Sequence, residues 1–235
     1  MTVGVRPGTN GSGSVGMVLF DLDGTLVDSA PDIARSVNIL MKDNGLSPHS
    51  LPAVRSMIGH GIMRLVERAF AAHGIVLSED ALTRQYDAMM EIYATNLVGE
   101  TRLRRGAGEA VTECANRKLV LGCVTNKPEG FSRAILAHFG LLDMMATVIG
   151  GDSGFARKPA PDMLLAAARH STFEPGEILL VGDSAADRDA ARAAGMRCVL
   201  IEDGYCDRKL SDLAPDAIIA GFAELFSVMA TLDQS

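Results

Sequence analysis

Short apolar runs that stop at an acid or a hydroxyl recur along this chain and restrict its fold severely. Met17–Phe20 leads into Asp21, residues 119–124 into Thr125, and residues 178–181 into Gly182 and Asp183. Two further runs, 146–149 and 196–201, lack that ending. Each is too short for a helix and nearly continuous in apolar residues, the pattern of strands buried on both faces of a parallel sheet. The stretches between them carry helix punctuation. Pro128 and Gly140 bracket a predicted helix over 131–139, while Ser184 caps and Gly195 ends one over Ala185–Ala194. Strand alternating with helix predicts a doubly wound, Rossmann-like α/β fold with a parallel sheet. Such folds bind ligands outside the carboxyl ends of their strands. Asp21, Thr125 and Asp183 are therefore predicted to converge.

Residues 30–102 have a different texture, with no strand-like run. Ile33, Val37, Leu40 and Met41 form one helical stripe between Pro31 and Gly45. Ile62, Leu65, Val66, Ala69 and Phe70 form a second, ending at Gly74, and a third helix is predicted after Ser78-Glu79-Asp80. So long an excursion needs a core of its own. The predicted organisation is a flexible Gly/Ser-rich leader over 1–15, an α/β core over 16–29 and 103–235, and an inserted all-helical cap over 30–102.

The 235 residues are 48% hydrophobic and 22% charged, enough for a substantial core carrying an insertion. No apolar run approaches the roughly 18 residues of a membrane span. The N-terminus lacks the apolar segment of a secretory signal. A net charge of −7 argues against general affinity for nucleic acid or anionic membrane. It allows a small anionic substrate, because a metal ion and oriented donors can reverse the local field. The four cysteines show no C-x-x-C spacing, and Cys123 and Cys198 are expected to be buried. The cytoplasm is the simplest compartment.

Asp21-Leu22-Asp23-Gly24-Thr25 places two carboxylates one residue apart at a strand end, where both can meet one small hard cation. Gly24 permits a tight turn or a close backbone approach. Extended to residues 20–29, the stretch resembles the first signature of the haloacid dehalogenase superfamily of phosphohydrolases. Val124-Thr-Asn-Lys-Pro128 is similar to its second motif, Arg157-Lys-Pro159 to its third, and Val181-Gly-Asp-Ser-Ala-Ala-Asp187 to its fourth. The four occur in the family's order, within a resemblance spanning roughly residues 16 to 230. It implies that Asp21 attacks phosphorus and forms an aspartyl-phosphate, and that Asp23 serves as general acid and then base. It implies Mg²⁺ held by the Asp21 side chain, the Asp23 carbonyl and Asp183. Thr125 and the Asn126 amide would bind phosphoryl oxygens, Lys158 would neutralise developing charge, and Asp187 would orient Asp183, a metal water or Lys158.

Residues 54–67 resemble the cap segment of phosphoglycolate phosphatases, as do the Thr-Asn-Lys-Pro form of the second motif and Asp203-Gly-Tyr205. The implied substrate is 2-phosphoglycolate, with loop Gly59–His60–Gly61 closing over the site and Arg64 or backbone donors meeting its carboxylate. Gly59-His60-Gly61 departs from the group, which more often has a small or amide residue between the glycines. Alternatives are a phosphatase of another small phosphometabolite, a phosphosugar mutase, and a non-catalytic regulatory protein. A phosphonate hydrolase would need a cap lysine, for which Lys42 is the candidate, and it reads as solvent-facing. His49, His73, His138 and His170 are expected to face solvent, and Arg102, Arg104 and Arg105 to form a solvated run at the return hinge. A monomer or a homodimer is expected.

Overall fold

The apolar runs pair side by side because each can bury both faces only between neighbouring strands and covering helices. The computed structural model describes residues 13–206 and 208–234. Along the chain lie β1 (Met17–Phe20), β2 (Val27–Asp28), α1 (Ala30–Asp43), α2 (Leu51–Arg55), α3 (Ile62–Ala71) and α4 (Glu79–Ala94). Next come β3 (Arg102–Leu103), α5 (Ala107–Asn116), β4 (Val120–Val124), α6 (Glu129–His138), β5 (Thr147–Ile149) and α7 (Asp162–Ala168). The chain continues through β6 (Ile178–Gly182), α8 (Ala185–Ala194), β7 (Arg197–Ile201), β8 (Ala217–Ile219) and α9 (Leu225–Leu232).

Six strands form one parallel sheet in the order β5-β4-β1-β6-β7-β8. β1 is central, with Phe20 in register with Cys123 on one side and Val181 on the other. Successive residues of β1 alternate between faces. Val18 and Phe20 join the apolar cluster that includes Val111 of α5 and Leu225 of α9, while Met17 and Leu19 join that of Leu164 of α7 and Ala190 of α8. Helices thus cover both faces. Leaving β1, the chain passes outward through β4 and later returns to β6, so the tips of β1, β4 and β6 sit together at a switch point.

Three strand starts differ from the expected bounds by one residue, for a traceable reason. The amides of Leu119 and Met196 bond back to Cys114 and Ala191 at the ends of the preceding helices, and that of Ala146 bonds to Leu121 outside its strand. β8 and the β2–β3 pair were not foreseen. Three residues just after Pro215-Asp216, and two strands of two residues each, carry too little periodicity to register.

Helices α1 to α4 gather around Ile33, Val37, Leu40, Leu65, Phe70, Met89 and Tyr93, an apolar cluster separate from both faces of the sheet. Ser50 and Ser78 cap α2 and α4 through their hydroxyls. This helical layer joins the sheet through β2 and β3, antiparallel with Val27 opposite Leu103 and Asp28 opposite Arg102. Asp32, in the first turn of α1 and fully buried, accepts bonds from the amides of Glu100 and Thr101 and from the Thr101 hydroxyl, at 2.7–2.9 Å. It fastens the outgoing chain to the returning one.

Of the proposed leader, residues 1–12 lie outside the described residues. Gly13 and Val15 bond to Arg197 and Asp233 of the core. Two histidines depart from expectation: His49 and His73 pack ring to ring at 4.6 Å, and His49 Nε2 bonds the Ala69 carbonyl. His138, His170 and Lys42 are exposed. Cys123 and Cys198 are buried. Among the described residues no helix is long and apolar enough to cross a membrane.

Replacing Asp32 strands several buried donors at once. Asp32→Ala should destabilise the protein by about 3 kcal/mol, read as a lowered midpoint in urea unfolding. An unchanged midpoint would show that the buried carboxylate contributes nothing to this junction.

Candidate active site

Strand ends are where backbone hydrogen bonding stops and side chains can turn toward a ligand. The Asp21 amide still bonds the Val181 carbonyl, so the residue is held by β6 while its carboxylate lies beyond the sheet edge. Asp183 follows β6 directly, and α8 begins two residues later behind the Ser184 cap. Oxygens of Asp21, Asp183 and Asp187 all lie within 4.8 Å of one another.

That crowding is electrostatically unfavourable by itself. Burial above all, with the Asp187 charge adding to it, pushes the Asp21 carboxyl up to about 6 against the pull of Lys158. Burial, then Asp187 and Asp21, push Asp183 up to about 8. Lys158 supplies the balancing charge. It is only 3% exposed, and its ammonium donates to Asp187 at 2.6 Å and to the Val124 carbonyl at 2.8 Å, with Asp21 at 3.0 Å. Burial alone would lower this ammonium's pKa, but Asp187 and Asp21 outweigh it and raise it, so the group stays charged.

Asp187 is already engaged. One oxygen takes Lys158, and the other accepts from the Ser184 hydroxyl and amide and from the Asp183 amide. The capping box of α8 therefore fixes the acid that fixes the lysine. Asp21 and Asp183 have fewer donors: Leu22 and Lys158 for the first, Thr25 and the Tyr205 amide for the second. Two hard oxygen donors whose carboxyls are raised by burial and by the charge of neighbouring acids, set around one point, suit a hard divalent cation. Glycines shape this corner. A Cβ at Gly24, whose φ is +85°, would lie 2.3 Å from an Asp183 oxygen, and one at Gly204 would lie equally close. Gly24 thus backs Asp183, and its carbonyl accepts from Arg104, which also reaches the Glu202 carbonyl at 2.6 Å. Arg104 secures the loop after β1 instead of standing in solvent.

A cavity opens beside these acids, beneath the helical layer. Asp21, Asp23, Thr125, Asn126 and Lys127 form its floor, Gly59 and Gly61 its edge, and Ile33, Ile58, Ile62, Leu65, Met89 and Tyr93 its walls. Thr125 follows β4, its amide bonded to Ile149. The Asn126 side chain donates to the carbonyls of Gly59 and Lys158, tying the glycine loop to the core, and its Oδ1 is buried with no partner among the described residues. Asp23 accepts from the Ser29 hydroxyl at 2.5 Å and from the Lys127 ammonium at 3.0 and 3.1 Å.

The structure thus brings Asp21, Asp23, Gly24, Thr125, Asn126, Lys158, Asp183 and Asp187 together, with Gly59 and Gly61 at the rim. Arg64 is elsewhere. Its side chain is 64% exposed, pairs with Glu67 at 2.5 Å and does not line the cavity. His60 lies on another depression, beside Ser184 and Tyr205. Sequence reasoning did not give roles to Lys127, Tyr93 or Tyr205. The Tyr205 hydroxyl accepts from the Ser29 and Ala30 amides and donates to Asp28, which also pairs with Arg55 of α2. Lys127 stood inside a quoted motif, whereas Tyr93 lies four residues after Met89 and reads as core spacing.

With this geometry in hand, three comparisons bear on kinship. Residues 18–201 match the model of the haloacid dehalogenase-like hydrolases. A phosphoglycolate phosphatase of Cereibacter sphaeroides is 38% identical over 88% of this chain and 94% of its own, and one of Rhodospirillum rubrum is 37% identical over 88% of each. The crystal structure of a predicted phosphoglycolate phosphatase from Haemophilus somnus superposes with a TM-score of 0.86 at 32% identity, covering 91% of this chain and 97% of that one. Motifs, topology and relatives agree: the chain belongs to the haloacid dehalogenase-like hydrolase family.

Proposed function

We propose that this protein hydrolyses 2-phosphoglycolate to glycolate and phosphate, through a phosphoryl group carried transiently on Asp21. The observation that supports the chemistry is the gathering of Asp21, Asp183 and Lys158 at the tips of β1 and β6, held by Asp187. The substrate is inferred from the relatives named phosphoglycolate phosphatase.

Asp21 attacks phosphorus through its free oxygen, and the bond from phosphorus to the ester oxygen breaks. Asp23 gives its proton to that departing oxygen, which leaves as the glycolate hydroxyl. A water molecule, deprotonated by Asp23, then attacks the aspartyl-phosphate, releasing inorganic phosphate and restoring both acids. Thr125 donates to a phosphoryl oxygen, and Lys158 balances the charge that accumulates as phosphorus becomes five-coordinate. Mg²⁺ would be held by Asp21, the Asp23 carbonyl and Asp183, and when bound it would reduce repulsion between the anionic nucleophile and substrate. The helical segment 30–102 serves as a cap over the core of 16–29 and 103–235, with Gly59 and Gly61 at the closing edge.

A phosphate-release screen over small phosphorylated acids, sugars and nucleotides tests the substrate, and a clear preference for sugar phosphates would overturn it. In the same assay Asp21→Asn should lower kcat by about 10⁴-fold or more, the scale seen when a nucleophile is removed. Turnover surviving that change would exclude the covalent route.

The pH dependence of stability follows from the raised acids. Burial raises Asp21 to about 6 and Asp183 to about 8, both above the ordinary carboxyl value of 3.8. The metal-free folded protein therefore holds more protons than the unfolded chain across that window. Their stabilising contribution is present below about pH 4 and is lost as pH rises through 6 and then 8. Without metal, Asp183→Asn should gain Tm relative to the parent protein between pH 5 and pH 8, by about 3 °C for each kcal/mol of repulsion removed. Adding Mg²⁺ at pH 8 should raise the Tm of the parent protein and not that of the variant. A Tm difference independent of pH and of Mg²⁺ would rule out this charge cluster as the metal site.

A further inference from the structure

The cavity beneath the helical layer contains one cationic side chain, Lys127, among its described lining residues. Its ammonium is 2% exposed on the side-chain scale, and all three of its N–H groups are engaged. Two meet the oxygens of Asp23 at 3.0 and 3.1 Å, and the third meets the Tyr93 hydroxyl oxygen at 2.5 Å. A lysine can only donate, so Tyr93 accepts here and its own proton has no acceptor among the described residues. Burial, with the charges of Asp23 and Asp32, raises the Tyr93 hydroxyl's pKa and keeps it protonated. The rest of the wall on this side is Ile33, Ile58, Ile62, Leu65 and Met89. One ammonium, with its N–H groups held by Asp23 and Tyr93, and one hydroxyl with an uncommitted proton therefore stand beside the apolar part of the cavity wall.

An anionic group on the non-phosphate side of the substrate must be met by a cation there, because an unpaired carboxylate against an apolar wall is costly. Arg64 faces outward and Lys158 is committed to Asp21 and Asp187. We infer that Lys127, positioned by Tyr93, is the residue that recognises the substrate's carboxylate, and that it does so by exchanging one Asp23 oxygen for one of the substrate's. The inference rests on the proposed 2-phosphoglycolate activity and adds to it the source of its selectivity. The exchange is feasible because Asp23 keeps a second partner: the Ser29 hydroxyl stays on Oδ1 when the ammonium moves off Oδ2. Binding of the correct tail thereby clears the Asp23 oxygen that must face the leaving group. A phosphate ester with a neutral tail leaves the Lys127–Asp23 pair closed, so discrimination falls on kcat as well as on KM.

The test compares 2-phosphoglycolate with ethyl phosphate, which has a similar tail without the charge, in the parent protein and in Lys127→Gln. The ratio of the two kcat/KM values should fall about 30-fold in the variant, the scale of one lost charged hydrogen bond, and Lys127→Arg should restore part of it. Tyr93→Phe should lower the ratio about fivefold, as expected for a neutral bond, and it provides the same test should Lys127→Gln fail to fold. Arg64→Ala should leave the ratio unchanged. A parent protein without preference for 2-phosphoglycolate would overturn the proposed activity and this inference together. A parent preference that survives in Lys127→Gln, or an equal loss on both substrates, would overturn the inference alone. A loss confined to KM would overturn the exchange with Asp23.

Discussion

Everything at the strand tips depends on one buried ammonium. Lys158 sits between Asp21 and Asp187, and without it three carboxylates would share a space only a few ångströms wide. A buried charge of this kind is tolerable only when paired and hydrogen-bonded, and each partner here is itself anchored. Asp187 is fixed by the first turn of α8, Asp21 by β6, and Lys158 by the carbonyl of Val124. The sheet brings these elements together, and the charge balance is what lets the sheet end in acids at all.

The same logic explains why the site is not fully neutralised. Burial above all, with one lysine shared among three acids, leaves Asp21 and Asp183 with raised carboxyls, a conflict that a hard cation between them would relieve. A site optimised for folding alone would have replaced one of these acids. Retaining them is the sort of local conflict expected where chemistry, not packing, sets the residue.

Much of this is legible in the amino-acid sequence. β1 and β6 carry unbroken apolar runs closed by an acid, so periodicity and strand-end position located Asp21 and Asp183 together. Ser184 and Gly195 bounded α8 because caps act locally and leave a local trace. The helical layer was evident from its stripes. What escaped was long-range and polar. Tyr93 and Lys127 are 34 residues apart in sequence, on a helix and a loop, and nothing nearby in the chain marks their contact. Asp32 looks like an ordinary first-turn acid until residues 99–101 fold against it. Arg64 shows the opposite error: glycines followed by a cation look like a substrate clamp, but the turn of α3 carries the arginine to the outer face, where Glu67 takes it.

The paired strands β2 and β3 set the chain's departure from the sheet beside its return. Further ties, from Asn126 to the Gly59 carbonyl and from Lys127 to Tyr93, hold the helical layer against the strand tips. Side-by-side attachment also means that the intervening helices can be lengthened, shortened or exchanged without shifting a single strand of the sheet. The insertion thus enters and leaves at one place, where its length can change while the order and register of the six strands stay as they are.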